Sequence, residues 1–288
     1  MSEEAHRPVM DAEVVELLGT AKLVVDMTVG AGGHAAALLD AGVRDVVGVD
    51  RDPMALARAR DTLADYGERV RLVRAPFSEV DEDTVGGTAG GVLFDLGVSS
   101  MQLDEGERGF SFRTDGPLDM RMAGAADDEP SARDLVNELP EGELADLLYR
   151  YGDERRSRRI AAAIVRRRPI ETTDELAGII VSAVGRRPGG PHPARRSFQA
   201  LRIAVNRELE ELTASLPHAA GLLDPGGRVV VISYHSLEDG VVKRSFRDDD
   251  RLRVLTRKPV VPTDAERASN PRARSAKLRA AERSEDAA

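Results

Sequence analysis

Two groups of residues in this sequence have types and spacings that can do chemistry. The first is Asp26, followed by Gly30, Gly32 and Gly33, with Asp50 about 20 residues beyond the first glycine. They lie in Leu23–Asp52, LVVDMTVGAGGHAAALLDAGVRDVVGVDRD, which reads as a strand, a glycine turn, a helix and a second strand ending in an acid. Glycines let a backbone turn sharply and approach a ligand with no Cβ in the way. Free N–H groups at a helix start favour a carboxylate or phosphate. An acid ending the second strand can accept hydrogen bonds from ribose hydroxyls. The pattern leaves the ligand open. A dinucleotide fingerprint is spaced G-x-G-x-x-G, but here Ala35 stands where the third glycine would fall. Asp26, just before the turn, can hold an amino group. An amino acid plus a ribose favours S-adenosylmethionine over a nicotinamide cofactor, and a turn that serves only packing is the plain alternative.

The second group is Asp95-Leu96-Gly97-Val98-Ser99-Ser100, at the end of an apolar run, Gly91–Leu96, that reads as a buried parallel strand. Ligands of open α/β sheets bind at the carboxyl ends of strands. An acid, a glycine and two serines there form a loop of acceptors beside a methyl donor. A sulfonium methyl needs little activation, so the task is to align the nucleophile and exclude water. The amine of a base is a poor nucleophile because its lone pair is delocalised into the ring. Acceptors gripping its N–H groups, with Asp95, Ser99 and Ser100 as the catalytic candidates, would localise that pair. The bland alternative is that these residues only shape a tight loop.

The elements that must position these groups read as an α/β sheet domain with an inserted all-helical domain. His6–Leu18 is an entry loop and short helix. Met54–Leu63 is helical, Val70–Val73 is a third strand, and the loop Arg74-Ala75-Pro76-Phe77 follows. Gly97–Met122 is long and irregular, which in a compact protein is usually functional. Helical patterns without strands come next. Leu144, Leu147, Leu148 and Tyr151 share a face, as do Ile160, Ala161, Ile164 and Val165. Thr172-Thr173-Asp174 caps a further helix. Arg195–Leu216 reads as one long amphipathic helix, leading through Asp224-Pro225-Gly226-Gly227 into strand Arg228–Ser233. Leu237–Arg247 is helical, Leu252–Leu255 is a strand, and Ala276–Ala281 reads as a final edge strand. The expected division is 1–102 with 192–288 for the nucleotide-binding domain and 103–191 for the insertion.

Composition narrows the classes. The chain has 288 residues, 41% hydrophobic and 32% charged, with no Cys and no Trp. Disulfides, thiolate zinc sites and cysteine nucleophiles are excluded. No apolar run approaches the ~20 residues of a membrane span, and MSEEAHRPVM lacks a signal-peptide layout, so a cytoplasmic protein without membrane contact is expected. The net charge of −9 hides an asymmetry: Arg150–Glu210 holds 14 Arg against 7 acids, and Arg251–Ala288 holds 10 Lys or Arg against 5 acids. Two basic segments on an acidic body suit a phosphate-facing surface, although arginines on helices are also commonly just a solvated face. His6, His192 and His218 are too scattered for a metal site, and no metal is expected.

Phe94–Met122, FDLGVSSMQLDEGERGFSFRTDGPLDMRM, resembles the signature of the bacterial small-subunit ribosomal RNA cytosine-N4 methyltransferases, the methyltransferase H family. Asp26–His34 (DMTVGAGGH), His192–Leu209 (HPARRSFQALRIAVNREL), Pro225–Lys243 (PGGRVVVISYHSLEDGVVK) and Asn270–Arg279 (NPRARSAKLR) resemble further blocks of that family in the same order. The resemblance implies a class I, Rossmann-like methyltransferase sheet whose helical insertion recognises substrate. It implies S-adenosylmethionine as cofactor and methylation of a cytosine N4 amine in the decoding region of small-subunit RNA. The modest net basic charge of the two segments favours an assembled or nearly assembled subunit as the partner, with free RNA left open.

Carried over by position, the cofactor contacts are Gly32, Gly33, His34, Asp50, Phe77, Asp95 and Gln102, with Phe77 packing on adenine and His34 lending its backbone; the glycine turn itself adds Gly30. Arg195, Arg196, His235, Arg272, Arg274 and Lys277 are the substrate-side candidates. Phe110 and Phe112 can stack a flipped base or plug the insertion onto the sheet domain. The chain departs from the family pattern at Met101 (usually Pro), Arg195 (Thr), Tyr234 (Phe) and Gly240 (Arg). Gly240 leaves no basic side chain there to touch RNA. A nucleotide-binding assembly protein, or an enzyme acting on DNA or protein, remains the competing reading, and the oligomeric state is open.

Overall fold

The computed structural model describes residues 8–97, 106–124 and 129–285. Its chain forms two compact units, 1–97 with 209–288 and 98–208. The first begins with α1 (Asp11–Leu18), β1 (Leu23–Asp26), α2 (Gly33–Asp40), β2 (Asp45–Asp50), α3 (Pro53–Thr62), β3 (Val70–Arg74), α4 (Glu82–Val85) and β4 (Ala89–Asp95). Apolar residues alternate across the sheet, as the two-residue strand period requires. Val24, Val46, Leu93 and Val230 enter one core. Val25, Val47, Phe94 and Val231 enter the other. Both faces are covered, which is why these strands read as nearly unbroken apolar runs.

The chain then forms the helical unit, with α5 (Ala132–Glu138), α6 (Glu141–Gly152), α7 (Ser157–Val165), α8 (Thr173–Val184) and α9 (Arg195–Val205). It returns through α10 (Glu208–Leu222), β5 (Leu223–Ser233), α11 (Ser236–Asp248), β6 (Leu252–Val254), α12 (Asp264–Ser269) and β7 (Lys277–Arg283). The sheet order is β3-β2-β1-β4-β5-β7-β6. The first five strands are mutually parallel, and β7 runs antiparallel to both β5 and β6. Thus β7 is no edge strand. It is inserted between β5 and β6 and buries Leu278, Ala280 and Ala281, a placement that a local apolar run does not encode.

The expected boundary at 191/192 moves to 208/209, because α9 buries Phe198, Ala200, Leu201 and Val205 in the core of the helical unit with Leu144, Leu148, Ile160 and Ile164. The long helix expected over Arg195–Leu216 is two helices. Arg207 takes a left-handed φ of 50°, and the buried Asn206 is turned inward. Asn206 Oδ1 accepts from the Met122 N–H at 2.8 Å, and its Nδ2 donates to Met120 O at 2.7 Å. The irregular stretch expected to be functional is therefore, from Phe110 to Met122, partly a strap of this unit's core, with Phe110, Leu118 and Met120 buried. Thr172 caps α8 as expected, in a reciprocal box with Glu175.

Asn206→Ala strips a buried N–H and a buried C=O of their partners together. Unfolding in denaturant should show a loss of about 2–4 kcal/mol. A loss below half a kilocalorie would mean that the strap is held by packing alone.

Candidate active site

Each of the strands β1, β2 and β4 ends on an acid: Asp26, Asp50 and Asp95. β1 and β4 are neighbours at the point where strand order reverses, the switch point at which open α/β sheets bind ligands. The glycine turn starts there. The Val29 N–H donates to Val49 O at 2.9 Å, and the Gly32 N–H donates to Val29 O at 2.7 Å. Gly32 sits at φ 87°, and a Cβ there would lie 3.0 Å from the Leu63 side chain. That position therefore needs glycine for both conformation and space. Gly33 and His34 open α2.

Asp50 holds this turn from the side. Its Oδ2 accepts from the Gly30 N–H at 3.0 Å, and its Oδ1 accepts from the Asp52 N–H at 2.9 Å. Each oxygen keeps a lone pair for a further donor such as a ribose hydroxyl. Burial pushes the Asp50 carboxyl up to about 6 against these two bonds. Asp26 is more strongly perturbed. It is 1% exposed, its Oδ1 accepts from the Thr28 N–H at 3.1 Å, and its Oδ2 has no hydrogen-bond partner among the described residues. Burial raises its pKa to about 7, with Asp95 and Asp50 adding repulsion and His34 opposing.

Asp95 is reached from three elements. Its N–H donates to Thr28 Oγ1 at 2.7 Å, the Tyr234 hydroxyl donates to its Oδ1 at 2.7 Å, and His34 Nε2 lies 3.3 Å from its Oδ2. That last contact has ion-pair distance without hydrogen-bond alignment, and His34 Nδ1 is unpartnered among the described residues. Burial pushes the His34 ring toward its neutral form, but Asp95 and then Asp26 outweigh burial and raise its pKa. His34 thus contributes a buried side chain as well as a position in the turn.

The remaining candidates fall elsewhere. Phe77, half-buried in the loop after β3, meets Phe94 edge-on with ring centres 5.6 Å apart. Ser99, Ser100 and Gln102 lie outside the described residues. His235 is the N-cap of α11: its Nδ1 accepts from the Glu238 N–H at 3.4 Å, and its Nε2 lies 3.0 Å from Glu238 Oε1. Lys277 Nζ sits 3.4 Å from Asp239, which also binds Arg279. Arg272 and Arg274 are exposed. In the helical unit Arg195 and Arg196 are exposed, and Arg196 donates to Asp153 O. Arg202 is tied to Glu208 by two bonds of 2.7 and 2.8 Å. Phe112 stacks on His192 at 4.7 Å and meets Phe198 edge-on, so this ring already has partners within its own unit. Sequence reasoning missed Thr28 and the Tyr234 hydroxyl as partners of Asp95. Only the adjacency of β1, β4 and β5 brings them together.

Three acids, Asp26 buried and Asp50 and Asp95 half-buried, and a glycine turn at the switch point of a β3-β2-β1-β4-β5-β7-β6 sheet define a class I methyltransferase. The chain belongs to the MraW methylase family, whose model matches residues 3–284. It is 50% identical to the ribosomal RNA small subunit methyltransferase H of Synechococcus elongatus, over 96% of this chain and 94% of that protein. It is 49% identical to the protein of the same name from a Methylobacterium species, over 99% of this chain and 93% of that one. Among solved structures, a putative methyltransferase from Streptococcus mutans in complex with SAH aligns over 96% of this chain and 99% of its own, with 11% identity and a TM-score of 0.48.

The cofactor of this methylase is S-adenosylmethionine, and the residues present fit it. The orphaned buried oxygen of Asp26 answers an amino group, the glycine turn leaves backbone accessible, and Asp50 has lone pairs to spare. No helix among the described residues is long and apolar enough to cross a membrane.

Asp26 gives this fit a pH signature. Its folded-state pKa, about 7, lies above the ordinary 3.8. Between those values the unfolded chain binds fewer protons than the folded one, so this group lowers the stability of the ligand-free protein as pH rises through that window. A cationic amino group prefers the ionised form. Affinity for S-adenosylmethionine should therefore climb with pH up to about 7, by at most about tenfold per unit, and calorimetry should show proton release near pH 6. Asp26→Asn should flatten that dependence, and an unchanged slope in the variant would exclude Asp26 as its source.

Proposed function

We propose that this chain transfers a methyl group from S-adenosylmethionine to the N4 exocyclic amine of a cytosine in the decoding region of small-subunit ribosomal RNA. The observation that carries this reading is the identity of about half of all residues, over nearly the whole of both chains, with relatives named as ribosomal RNA small subunit methyltransferase H. The site chemistry agrees with it. S-adenosylmethionine supplies a methyl on a sulfonium, which leaves as a neutral thioether. Asp95 accepts an N–H of the target amine and turns the nitrogen lone pair toward the methyl; the N–C bond forms as the S–C bond breaks, and the surplus proton on nitrogen then leaves to water. Asp26 and the turn of Gly30, Gly32 and Gly33 hold the amino-acid part, Asp50 the ribose, and Phe77 the adenine. His34 keeps charge balance beside Asp95. Ser99 and Ser100 are further acceptor candidates and Gln102 a further cofactor contact, all three outside the described residues.

The helical unit, with the loop before α5, recognises the RNA. Its stretch Arg150–Glu208 has more than twice as many arginines as acids, and Arg155, Arg158, Arg159, Arg186, Arg187 and Arg195 are all exposed. Arg272 and Arg274 add exposed charge on the sheet unit. This modest net charge suits a substrate whose shape contributes to affinity, an assembled or nearly assembled small subunit, rather than free RNA bound by phosphate attraction alone.

Small subunits from cells lacking this gene, incubated with the protein and labelled S-adenosylmethionine, should yield N4-methylcytidine at one position on nucleoside mass spectrometry. Asp95→Ala should lower that rate about 100-fold or more with folding intact. Label on another atom would keep the methyltransferase and break the role given to Asp95, whereas label in duplex DNA or protein instead would move the substrate. Arg195→Ala and Arg274→Ala should each weaken subunit binding and reduce the slope of log affinity against log salt by about one. An unchanged slope would take those arginines off the interface.

A further inference from the structure

Tyr234 is the first residue after β5, on the strand next to β4. Its hydroxyl donates to Asp95 Oδ1 at 2.7 Å, while His34 Nε2 faces Asp95 Oδ2 at 3.3 Å. The carboxylate is thus engaged at both oxygens from two different elements and cannot rotate freely about its Cβ–Cγ bond. The arrangement is built in from both sides. The Tyr234 N–H donates to Glu238 Oε2 at 2.8 Å, which fixes the start of the ring. Gly97, at φ 97°, leaves the ring its space: a Cβ there would stand 3.2 Å from Tyr234 Cδ2. Phenylalanine would fill the same volume and lack only the donor.

We propose that Tyr234 is a positioning residue for methyl transfer, its hydroxyl holding the Asp95 carboxyl group turned so that a free lone pair faces the target amine. The inference rests on the reading of Asp95 as the amine acceptor.

The Tyr234 hydroxyl keeps its proton, and so its donor, in the working range. Burial, followed by the Asp95 charge and its hydrogen bond, raises the phenol's pKa well above 10. A donor that never loses its proton favours the charged form of the carboxylate it touches at every physiological pH. The other ionisable groups around this pair are His34 on α2, Asp26 at the end of β1, Glu238 on α11 and Arg272 before β7. Remaining lone pairs on each Asp95 oxygen are left to accept from the substrate.

The test compares Tyr234→Phe, Asp95→Asn and the unaltered full-length protein on undermethylated small subunits. It follows kcat at saturating S-adenosylmethionine from pH 5.5 to 9, with thermal melting and cofactor calorimetry on each protein. At saturation the pH dependence of cofactor affinity through Asp26 drops out, and kcat reports groups in the loaded complex. In Tyr234→Phe kcat should fall about tenfold across the whole range, with KM for the subunits unchanged, as loss of one orienting hydrogen bond to a charged group implies. The melting point and cofactor affinity should stay close to those of the unaltered protein. An unchanged kcat, or a loss matched by a fall in melting point or cofactor affinity, would overturn the role of Tyr234 while leaving Asp95 in place if Asp95→Asn is inactive. An active Asp95→Asn would instead remove the reading on which the inference rests.

Discussion

Bringing three carboxylates to one end of a parallel sheet is the constraint around which this structure is arranged. Asp26, Asp50 and Asp95 end neighbouring strands, and burying like charges together raises the free energy of their ionised forms. Each acid meets that cost differently. Asp50 takes two backbone N–H donors from the glycine turn and from Asp52. Asp95 takes a phenol and an imidazole. Asp26 keeps one oxygen unpartnered among the described residues and is pushed toward the neutral form. The unequal treatment leaves the three acids chemically distinct, one poised to meet a cation and two already engaged by donors or a ring.

The glycine turn and the acids depend on each other. Asp50 binds the Gly30 N–H, so the residue suited to a ribose also fixes the loop that would face the amino-acid part. Thr28, between Asp26 and the glycines, accepts from the Asp95 N–H and joins the ends of β1 and β4. These short bonds rest on two apolar layers that cover the sheet. Displacing β4 by a fraction of an ångström would disturb the contacts of Asp95 with Thr28, His34 and Tyr234 together, because close-packed cores transmit strain.

The helical unit follows a simpler logic. Its apolar stripes are satisfied internally, by α6 to α9 and by the Phe110–Met122 strap. Its arginines remain at the surface except where they meet a specific acid or carbonyl, as Arg202 meets Glu208. The aromatic pair that suggested a base platform is partly consumed by packing, with Phe110 buried and Phe112 seated between His192 and Phe198. Irregular backbone rich in Gly, Ser and Asp can be a core strap as well as a binding loop, since nothing local distinguishes the two.

The sequence by itself determined the strand–glycine–helix–strand unit, the acids ending β1, β2 and β4, the helical insertion and the cap of α8. These features are written in local periodicity and in residues with one dominant physical use. It also carried the family resemblance, through five blocks in order, which the family match over residues 3–284 bears out. Tertiary structure alone decided that β7 lies between β5 and β6, that Asn206 breaks the expected long helix, and that α9 belongs to the helical unit. It alone joined Tyr234, Thr28 and His34 to Asp95. The physical reason is the same in each case: strand order, burial of a polar side chain, and hydrogen bonds and an ion-pair contact between residues 61 to 139 positions apart depend on how elements pack, and no local pattern of apolar and polar residues encodes that packing.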